Sequence, residues 1–195
     1  MFEVNSVSIR ELKSVYSLIK ECLPDDPIVR ILKESIFINI VLKSLMIKNE
    51  GILVTKNSKS EIIGIAIIGD FTNKLLYKSL FINVVKYPID FVYSVLSLKG
   101  LAQLLYFWIL FLIKSPKTTG VELCWICVKN EYRNLKVGTI LLSEAEKSAR
   151  DSGAEFLWLK TLVKTISSSN FYLSNNYDNV YQDRVRILYT KKLVN

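Results

Sequence analysis

The chain has 195 residues, half of them hydrophobic, and its formal net charge is +8. This length suits one domain with a substantial core. The positive charge favours anionic partners such as phosphorylated cofactors, nucleic acid or acidic lipid. The lysines are spread along the chain, however, so nucleic acid is not specifically indicated. Because histidine is absent, catalysis by Ser-His-Asp or Cys-His groups is excluded.

The three cysteines, Cys22, Cys124 and Cys127, form an odd set without a disulfide framework, which favours a reducing cytoplasm. Cys124 and Cys127 have C-x-x-C spacing within an apolar run. Residues three apart on a strand point to opposite faces, so we predict two core residues and no metal site. The N-terminal residues lack the apolar core of a signal peptide, and the sequence therefore predicts no export.

The first part of the chain predicts a strand, two helices and a β-hairpin. Alternating apolar residues predict the strand, and apolar residues at helical spacing predict the helices, which a proline-containing turn separates. Two apolar runs on either side of a polar turn predict the hairpin. Gly64 and Gly69 in its second run indicate a bulge or the close approach of another group. The predicted elements cover residues 2–10, 11–23, 28–48, 51–56 and 61–71.

A long apolar segment, residues 73–113, favours helix. Its last part, 101–113, carries no charge but is shorter than the roughly 20 residues that span a bilayer. Three interpretations remain open: a helical insertion packed on the domain or on a second subunit, a wall or lid over the substrate, or a membrane-surface contact. In the last case Tyr106, Phe107 and Trp108 would lie at the interface.

The remaining residues predict alternating strands and helices. An apolar run at 123–128 predicts a strand, and helical spacing from Ile140 predicts a helix that ends at Gly153. Residues 155–163 predict another strand, 167–175 a short helix and 180–193 one or two closing strands. This order of elements indicates a mixed α/β domain.

The turn between the strand at 123–128 and the following helix is suited to an anion. A strand that leads directly into a helix presents free backbone N–H groups and the positive end of the helix dipole at one place. Arg133, Lys136, Gly138 and Thr139 lie in this turn. Two cations and a glycine at that position favour a phosphate site.

At residues 122–153 the sequence resembles the GNAT superfamily of acetyl-CoA-dependent N-acetyltransferases. That family has a strand, the motif R/Q-x-x-G-x-G/A and a helix, and residues 133–139 (RNLKVGT) match the motif except that Lys136 replaces its first glycine. Downstream, Phe171-Tyr172 and Asn176-Tyr177 resemble F-Y-x-x-x-G-F, with Asn176 in place of glycine. Thr165 stands where the family often has asparagine.

The resemblance implies one domain over residues 1–195, with a largely antiparallel mixed sheet flanked by helices and an apolar helical insertion at about 73–117. It implies direct transfer of acetyl from acetyl-CoA to an amine, without a metal or a covalent enzyme intermediate. The expected residues that bind acetyl-CoA are Ile126, Cys127, Val128, Arg133, Asn134, Leu135, Lys136, Val137, Gly138 and Thr139.

The sequence defines the chemical class of the acceptor less narrowly than it defines the cofactor. A small amine such as an amino sugar, amino acid or polyamine is the leading interpretation, with no nucleic acid as partner. A protein or peptide amine, a longer acyl donor, and a GNAT-fold protein that binds acyl-CoA without catalysis are the alternatives. The insertion could also form a homodimer contact.

The resemblance also suggests two catalytic residues. Glu122 occupies the position of the catalytic glutamate of histone-acetylating members and is the candidate base; otherwise it is a solvated glutamate at the start of a strand. Tyr172 matches the tyrosine near the cofactor sulfur and is the candidate acid; otherwise it packs in the core. We assign Phe171 to the core and Trp125 and Trp158 to packing.

Overall fold

The computed structural model describes residues 2–24, 26, 29, 34–42, 51–69, 120–163, 166–184 and 186–193. These residues contain the strands β1 (Val4–Ser6), β2 (Ile52–Lys56), β3 (Ile62–Gly69), β4 (Gly120–Val128), β5 (Phe156–Leu162), β6 (Asp178–Gln182) and β7 (Arg186–Lys192). They form one sheet in the order β1-β2-β3-β4-β5-β7-β6. Neighbouring strands are antiparallel except for β4 and β5, which are parallel.

Helices pack on both faces of the sheet. One face carries α1 (Leu12–Cys22) and the π-helical turn Phe37–Leu42, which continues a short helix α2 (Glu34–Ile36). The other face carries α3 (Val137–Asp151) and α4 (Ile166–Ser174). We call these the α1 face and the α3 face, and each has its own hydrophobic core.

The sequence pattern of α1 explains how it packs. Its apolar residues at helical spacing, Leu12, Val15, Leu18 and Ile19, are buried as predicted. The helix ends at Cys22, immediately before the turn that contains Pro24. Burial of such aliphatic side chains stabilises the fold by about 1.5–3 kcal/mol each, so this stripe is sufficient to hold α1 on the sheet.

The predicted hairpin of β2 and β3 is confirmed, and it explains one of the two glycines in β3. A Cβ atom at Gly64 would lie 2.8 Å from Cδ1 of Leu141 and 3.1 Å from Cγ1 of Val137. The interpretation of Gly64 as a site of close approach is therefore correct, because α3 packs directly against the strand backbone there.

Strands β4 and β5 are joined over a very short length. The paired positions are Gly120 with Phe156, Val121 with Leu157 and Glu122 with Trp158. Beyond them β4 continues to Val128 along β3, whereas β5 continues to Leu162 along β7. A gap between the two central strands therefore begins directly after Glu122.

A bulge in β4 changes which way its residues face. Ile67 pairs with Trp125 and Ile68 with Leu123, so Cys124 is an extra residue. Cys124 consequently packs on the α1 face, the same face as Trp125 and Cys127. The prediction that Cys124 and Cys127 point to opposite faces was wrong, because it assumed regular alternation and a bulge interrupts alternation.

Other elements match their predictions with shifted limits. The strand expected at 2–10 is confined to β1 and is followed by a 3-10 turn, Ile9–Glu11. The helix expected from Ile140 begins at Val137. The apolar segment at 73–113 lies outside the described residues, as do residues 28, 30–33 and 43–48 of the expected second helix. Within the described ranges no helix has the length and apolar character needed to cross a bilayer.

Candidate active site

The turn between β4 and α3 has an unusual backbone. A 3-10 turn, Asn130–Tyr132, follows β4, and α3 begins after Lys136. Asn134 and Lys136 have φ angles of +62° and +63°, in the left-handed region. Asparagine enters this region readily but lysine does so rarely. Lys136 thus adopts the conformation that glycine adopts most easily, at the position where the resembled motif has glycine.

The start of α3 leaves its backbone donors available. The first helical hydrogen bond runs from the N–H of Ile140 to the carbonyl of Lys136, at 3.0 Å. No side chain caps the helix. Within the described part of the chain, no carbonyl or side chain accepts a hydrogen bond from the backbone N–H groups of residues 134–139. A row of donors at the positive end of a helix dipole favours an anion.

Gly138 lies where this turn meets α4. A Cβ atom there would be 3.4 Å from Cε2 of Phe171 and 3.8 Å from Cγ2 of Val128. A methyl group would therefore fit in ordinary contact, while a larger side chain would have to project past the Phe171 ring. Phe171, predicted as a core residue, is half-buried and forms this wall of the turn.

Arg133 connects the turn to the end of β4. Its Nε donates a hydrogen bond to the carbonyl of Val128 at 3.3 Å. Its side chain is exposed, so the guanidinium lies beside the turn and is accessible to solvent. Within α3 and the turn, Arg133 and Lys136 supply the positive charge nearest to the open N–H groups.

The three predicted residues at the end of β4 do not share a face. Ile126 and Val128 pack on the α3 face, whereas Cys127 is buried on the α1 face. Their side chains therefore point to different faces of the sheet. Only their main-chain groups can all lie along the gap beside β5.

Glu122 occupies the last paired position of β4 before the gap. It is only 8% exposed, so it is not the solvated residue that the alternative interpretation described. Its Oε1 lies 3.7 Å from Nζ of Lys160, and that ammonium lies 4.8 Å from the centroid of the Trp158 ring. Lys160 thus supplies a counter-charge to a nearly buried carboxylate.

Tyr172 is buried on the α3 face within a group of aromatic rings. Its ring centroid is 5.5 Å from that of Tyr189 and 5.9 Å from that of Tyr177. Burial raises the pKa of the Tyr172 phenol above its ordinary value, so the group remains protonated and able to donate. Tyr172 belongs to the core of the α3 face, whereas Glu122, which lies between Val121 and Leu123 of that face, is on the α1 face.

The turn that follows α4 is held by a buried network that the sequence did not indicate. Asn176 has a φ of +63°. Glu146 accepts hydrogen bonds from the hydroxyl of Tyr177 at 3.2 Å and from Nζ of Lys191 at 2.9 Å. Lys191 also donates to the carbonyl of Asn175 at 3.1 Å. The partners of Glu146 are 31 and 45 residues away in sequence, so no local pattern could have revealed them.

The family model of the acetyltransferase (GNAT) family matches residues 12–177 of the chain. The chain belongs to this family. The match includes β4, the turn and α3, together with α4 and the turn that follows it. The family that the sequence resembles, the mixed sheet flanked by helices and the assignment as an acetyltransferase are therefore confirmed.

Solved structures with the GNAT fold cover nearly the whole chain. A GNAT-family acetyltransferase from Staphylococcus aureus Mu50 is 13% identical over 100% of both chains, with a TM-score of 0.64. YncA, a putative acetyltransferase from Salmonella typhimurium solved with acetyl-CoA, is 11% identical over 100% of this chain and 95% of its own, with a TM-score of 0.67. The PaiA N-acetyltransferase of Thermoplasma acidophilum, solved with coenzyme A, is 17% identical over 98% and 99%, with a TM-score of 0.61. A comparison with curated proteins finds no match.

Proposed function

We propose that this protein transfers the acetyl group of acetyl-CoA directly to the primary amine of a small molecule, such as an amino sugar, an amino acid or a polyamine. The observation that carries the proposal is the start of α3, where the backbone N–H groups of residues 134–139 have no acceptor within the described part of the chain. The family match and the gap beside β4 are consistent with it.

The diphosphate of the cofactor is assigned to this turn. The N–H groups of Asn134, Leu135, Lys136, Val137, Gly138 and Thr139 are the donors, and Arg133 and Lys136 add positive charge. A hydrogen bond to a charged group contributes about 1.5–3 kcal/mol, so two or three such bonds are enough to dominate the binding of an anion.

The pantetheine arm is assigned to the gap between β4 and β5. The arm carries two amide groups, which match the main-chain donors and acceptors of a strand edge. Residues 126–128 follow the last pairing with β5, and their side chains point away on both faces. Ile126, Cys127 and Val128 would therefore bind the arm through the main chain, with a nearby N–H supporting the oxyanion of the thioester carbonyl.

Glu122 is proposed as the base. An alkylammonium acceptor must lose a proton before it attacks, and a nearly buried carboxylate can take it directly or through a water molecule. Glu122 lies on the α1 face, where Asp26 also accepts a hydrogen bond from Nε1 of Trp125 at 3.0 Å. Two carboxylates and an aromatic side chain on this face suit a small cationic amine.

Tyr172 is proposed as the acid that protonates the departing thiolate. Burial keeps its phenol protonated, which is the form that this role requires. The phenol lies on the α3 face, opposite Glu122, so deprotonation of the amine and protonation of the sulfur occur on separate sides of the reacting thioester.

Calorimetry with acetyl-CoA and a thiol-release assay over a panel of amines and peptides test the proposal together. We expect saturable binding and turnover on at least one small amine. Binding without turnover on any amine would instead favour a non-catalytic acyl-CoA-binding protein, and turnover restricted to peptides would favour a protein N-acetyltransferase. A preference for long-chain acyl-CoA over acetyl-CoA would show that the donor is a longer acyl-CoA.

The variant Glu122→Gln tests the base. We expect kcat to fall by about 100-fold, because general base catalysis contributes on this scale, while acetyl-CoA binds as before. Glu155→Gln, which alters an exposed carboxylate outside the site, is the matched control. Equal rates for the two variants would remove Glu122 from the mechanism.

A further inference from the structure

Two thiols meet where the end of α1 packs against β4. Cys22 is the last residue of α1 and Cys127 lies near the end of β4. Cys22 packs against the core cluster that contains Cys127, and Sγ of Cys22 lies 3.6 Å from the carbonyl oxygen of Val128, the residue after Cys127, to which its S–H donates. The fold therefore brings together two cysteines that are more than a hundred residues apart in the chain.

The two cysteines differ in exposure and acidity. Cys22 is half-buried, whereas Cys127 is buried. The pKa of Cys22 is lowered, chiefly by the hydrogen bond from Cys127 and further by Arg133, against the opposing effects of burial and of Glu21. The pKa of Cys127 is raised by the same hydrogen bond and by burial. One thiol is thus accessible and readily ionised, and its neighbour is protected and protonated.

Arg133 links this thiol pair to the turn before α3. Its Nε donates a hydrogen bond to the Val128 carbonyl, which also accepts one from the Cys22 thiol, and its positive charge lowers the pKa of Cys22. The Arg133 side chain therefore lies beside Cys22 and also belongs to the segment that is assigned to the cofactor diphosphate.

We propose that Cys22 and Cys127 form an oxidisable dithiol that closes to an intramolecular disulfide when the protein meets a peroxide. Cys124 is the third cysteine of the chain, and its sulfur lies 3.8 Å from the carbonyl oxygen of Gly69 and 3.7 Å from that of Glu122. It takes no part in the proposed reaction.

The reaction proceeds in two balanced steps. The Cys22 thiolate attacks one oxygen of hydrogen peroxide, the O–O bond breaks, and the hydroxide that leaves is protonated to water, giving a sulfenic acid. The Cys127 sulfur then attacks the Cys22 sulfur, the S–O bond breaks, and the hydroxide takes the Cys127 proton to form a second water. The two sulfurs lose two electrons, which reduce the peroxide, and a small dithiol reverses the change.

Peptide mapping of the wild-type protein tests the pairing. Protein treated with hydrogen peroxide is alkylated, digested and analysed by mass spectrometry. We expect a linked pair of peptides containing Cys22 and Cys127, about 2 Da lighter than the two reduced peptides together, an alkylated Cys124, and loss of the link after treatment with dithiothreitol. A link to Cys124, or Cys22 found only as sulfinic acid, would overturn the proposal.

Three serine variants separate the roles of the cysteines. In Cys127→Ser the sulfenic acid on Cys22 should persist and react with dimedone, because no resolving thiol is present. In Cys22→Ser, Cys127 should remain alkylatable after peroxide treatment. Cys124→Ser is the matched control and should form the disulfide like the wild type. Dimedone labelling of Cys127 in preference to Cys22 would reverse the assigned order and contradict the proposal.

Acetyl-CoA should slow the oxidation, and this part of the inference depends on the proposed function. A diphosphate that binds Arg133 draws its charge away from Cys22 and makes thiolate less available, so we expect the disulfide to form about threefold more slowly at saturating acetyl-CoA. If calorimetry shows no binding, the proposed function fails while the mapped disulfide stands. If acetyl-CoA binds and the rate is unchanged, the link through Arg133 is wrong.

Discussion

The two long helices of this protein begin in opposite ways. The 3-10 turn Ile9–Glu11 leads directly into α1, whose own cap residue, Glu11, makes no side-chain hydrogen bond to the helix. Oε2 of Glu11 instead accepts hydrogen bonds at the start of that turn, from the N–H of Ser8 at 2.9 Å and from its hydroxyl at 2.8 Å. The N–H of Glu11 in turn donates to the Ser8 carbonyl at 3.0 Å. Before α3, Lys136 occupies the cap position in a left-handed conformation without any side-chain hydrogen bond. The start of α1 is therefore closed by the hydrogen bonds of this 3-10 turn, whereas the start of α3 is open.

This difference separates a structural helix start from one suited to binding. A cap residue contributes about 1 kcal/mol to helix stability, and α3 lacks that contribution although serine and threonine are common in the chain. The packing of α3 on β3 at Gly64 stabilises the helix without a cap. An uncapped start on a well-packed helix therefore leaves its donors available to a ligand.

The largest expected effect comes from filling the open helix start. Gly138→Glu should weaken acetyl-CoA binding by about 100-fold or more. Its carboxylate would occupy the positive end of the helix and repel the diphosphate that is assigned to this turn. Calorimetry measures the loss, and far-UV circular dichroism checks the fold. Gly138→Ala is the matched control, since its methyl group meets the Phe171 ring in ordinary contact. Wild-type affinity in Gly138→Glu would contradict the assignment of this turn to the diphosphate.

The second largest effect is expected for Tyr172→Phe, which distinguishes cofactor binding at the start of α3 from catalysis in the gap between β4 and β5. Tyr172→Phe should lower kcat by about 10- to 100-fold with little change in the affinity for acetyl-CoA, because only the proton donor is removed. Since burial raises the pKa of Tyr172 above its ordinary value, ionisation of this residue should not reduce the wild-type rate up to about pH 10. An unchanged kcat in Tyr172→Phe would return the residue to a packing role.

The closed helix start should affect stability and its dependence on pH, and leave binding unchanged. The hydrogen bond from Lys56, with those from Ser8, lowers the pKa of Glu11 from 4.5 to about 2. The stabilisation is therefore complete above pH 4.5 and is lost as the pH falls towards 2. Glu11→Gln should cost roughly 0.5–1 kcal/mol at pH 7 and much less near pH 2, where the carboxyl is about half protonated in the folded protein. Urea unfolding at both pH values measures this, and a difference that persists in acid would refute it.

The smallest effect concerns the left-handed residue at the open start. Lys136→Gly should stabilise the protein by about 0.5–1 kcal/mol, because glycine adopts a positive φ without steric cost. Asn176→Gly is the matched control and should gain less, since asparagine tolerates the same φ better. Thermal unfolding compares the two variants. A larger gain at Asn176 would show that Lys136 is stabilised there by interactions of its side chain.

The sequence predicted the features that depend on neighbouring residues. The apolar spacing of α1, the hairpin of β2 and β3 and the motif of residues 133–139 are all local patterns. The facing of Cys124 was mispredicted, because the bulge follows from the register with β3. The pairing of Glu146 with Lys191 and the packing of Cys22 on the core cluster that contains Cys127 were not predicted, since long-range packing brings these residues together.

The short pairing of β4 with β5 has a mechanical consequence. The sheet consists of a four-stranded part and a three-stranded part that share one seam of three residue pairs. A molecule bound between the two parts would restrict their motion about the seam. It would therefore slow amide hydrogen exchange at residues 126–128. Saturation with acetyl-CoA should then raise the melting temperature by more than a ligand confined to the start of α3, such as 3′,5′-adenosine diphosphate, at equal occupancy.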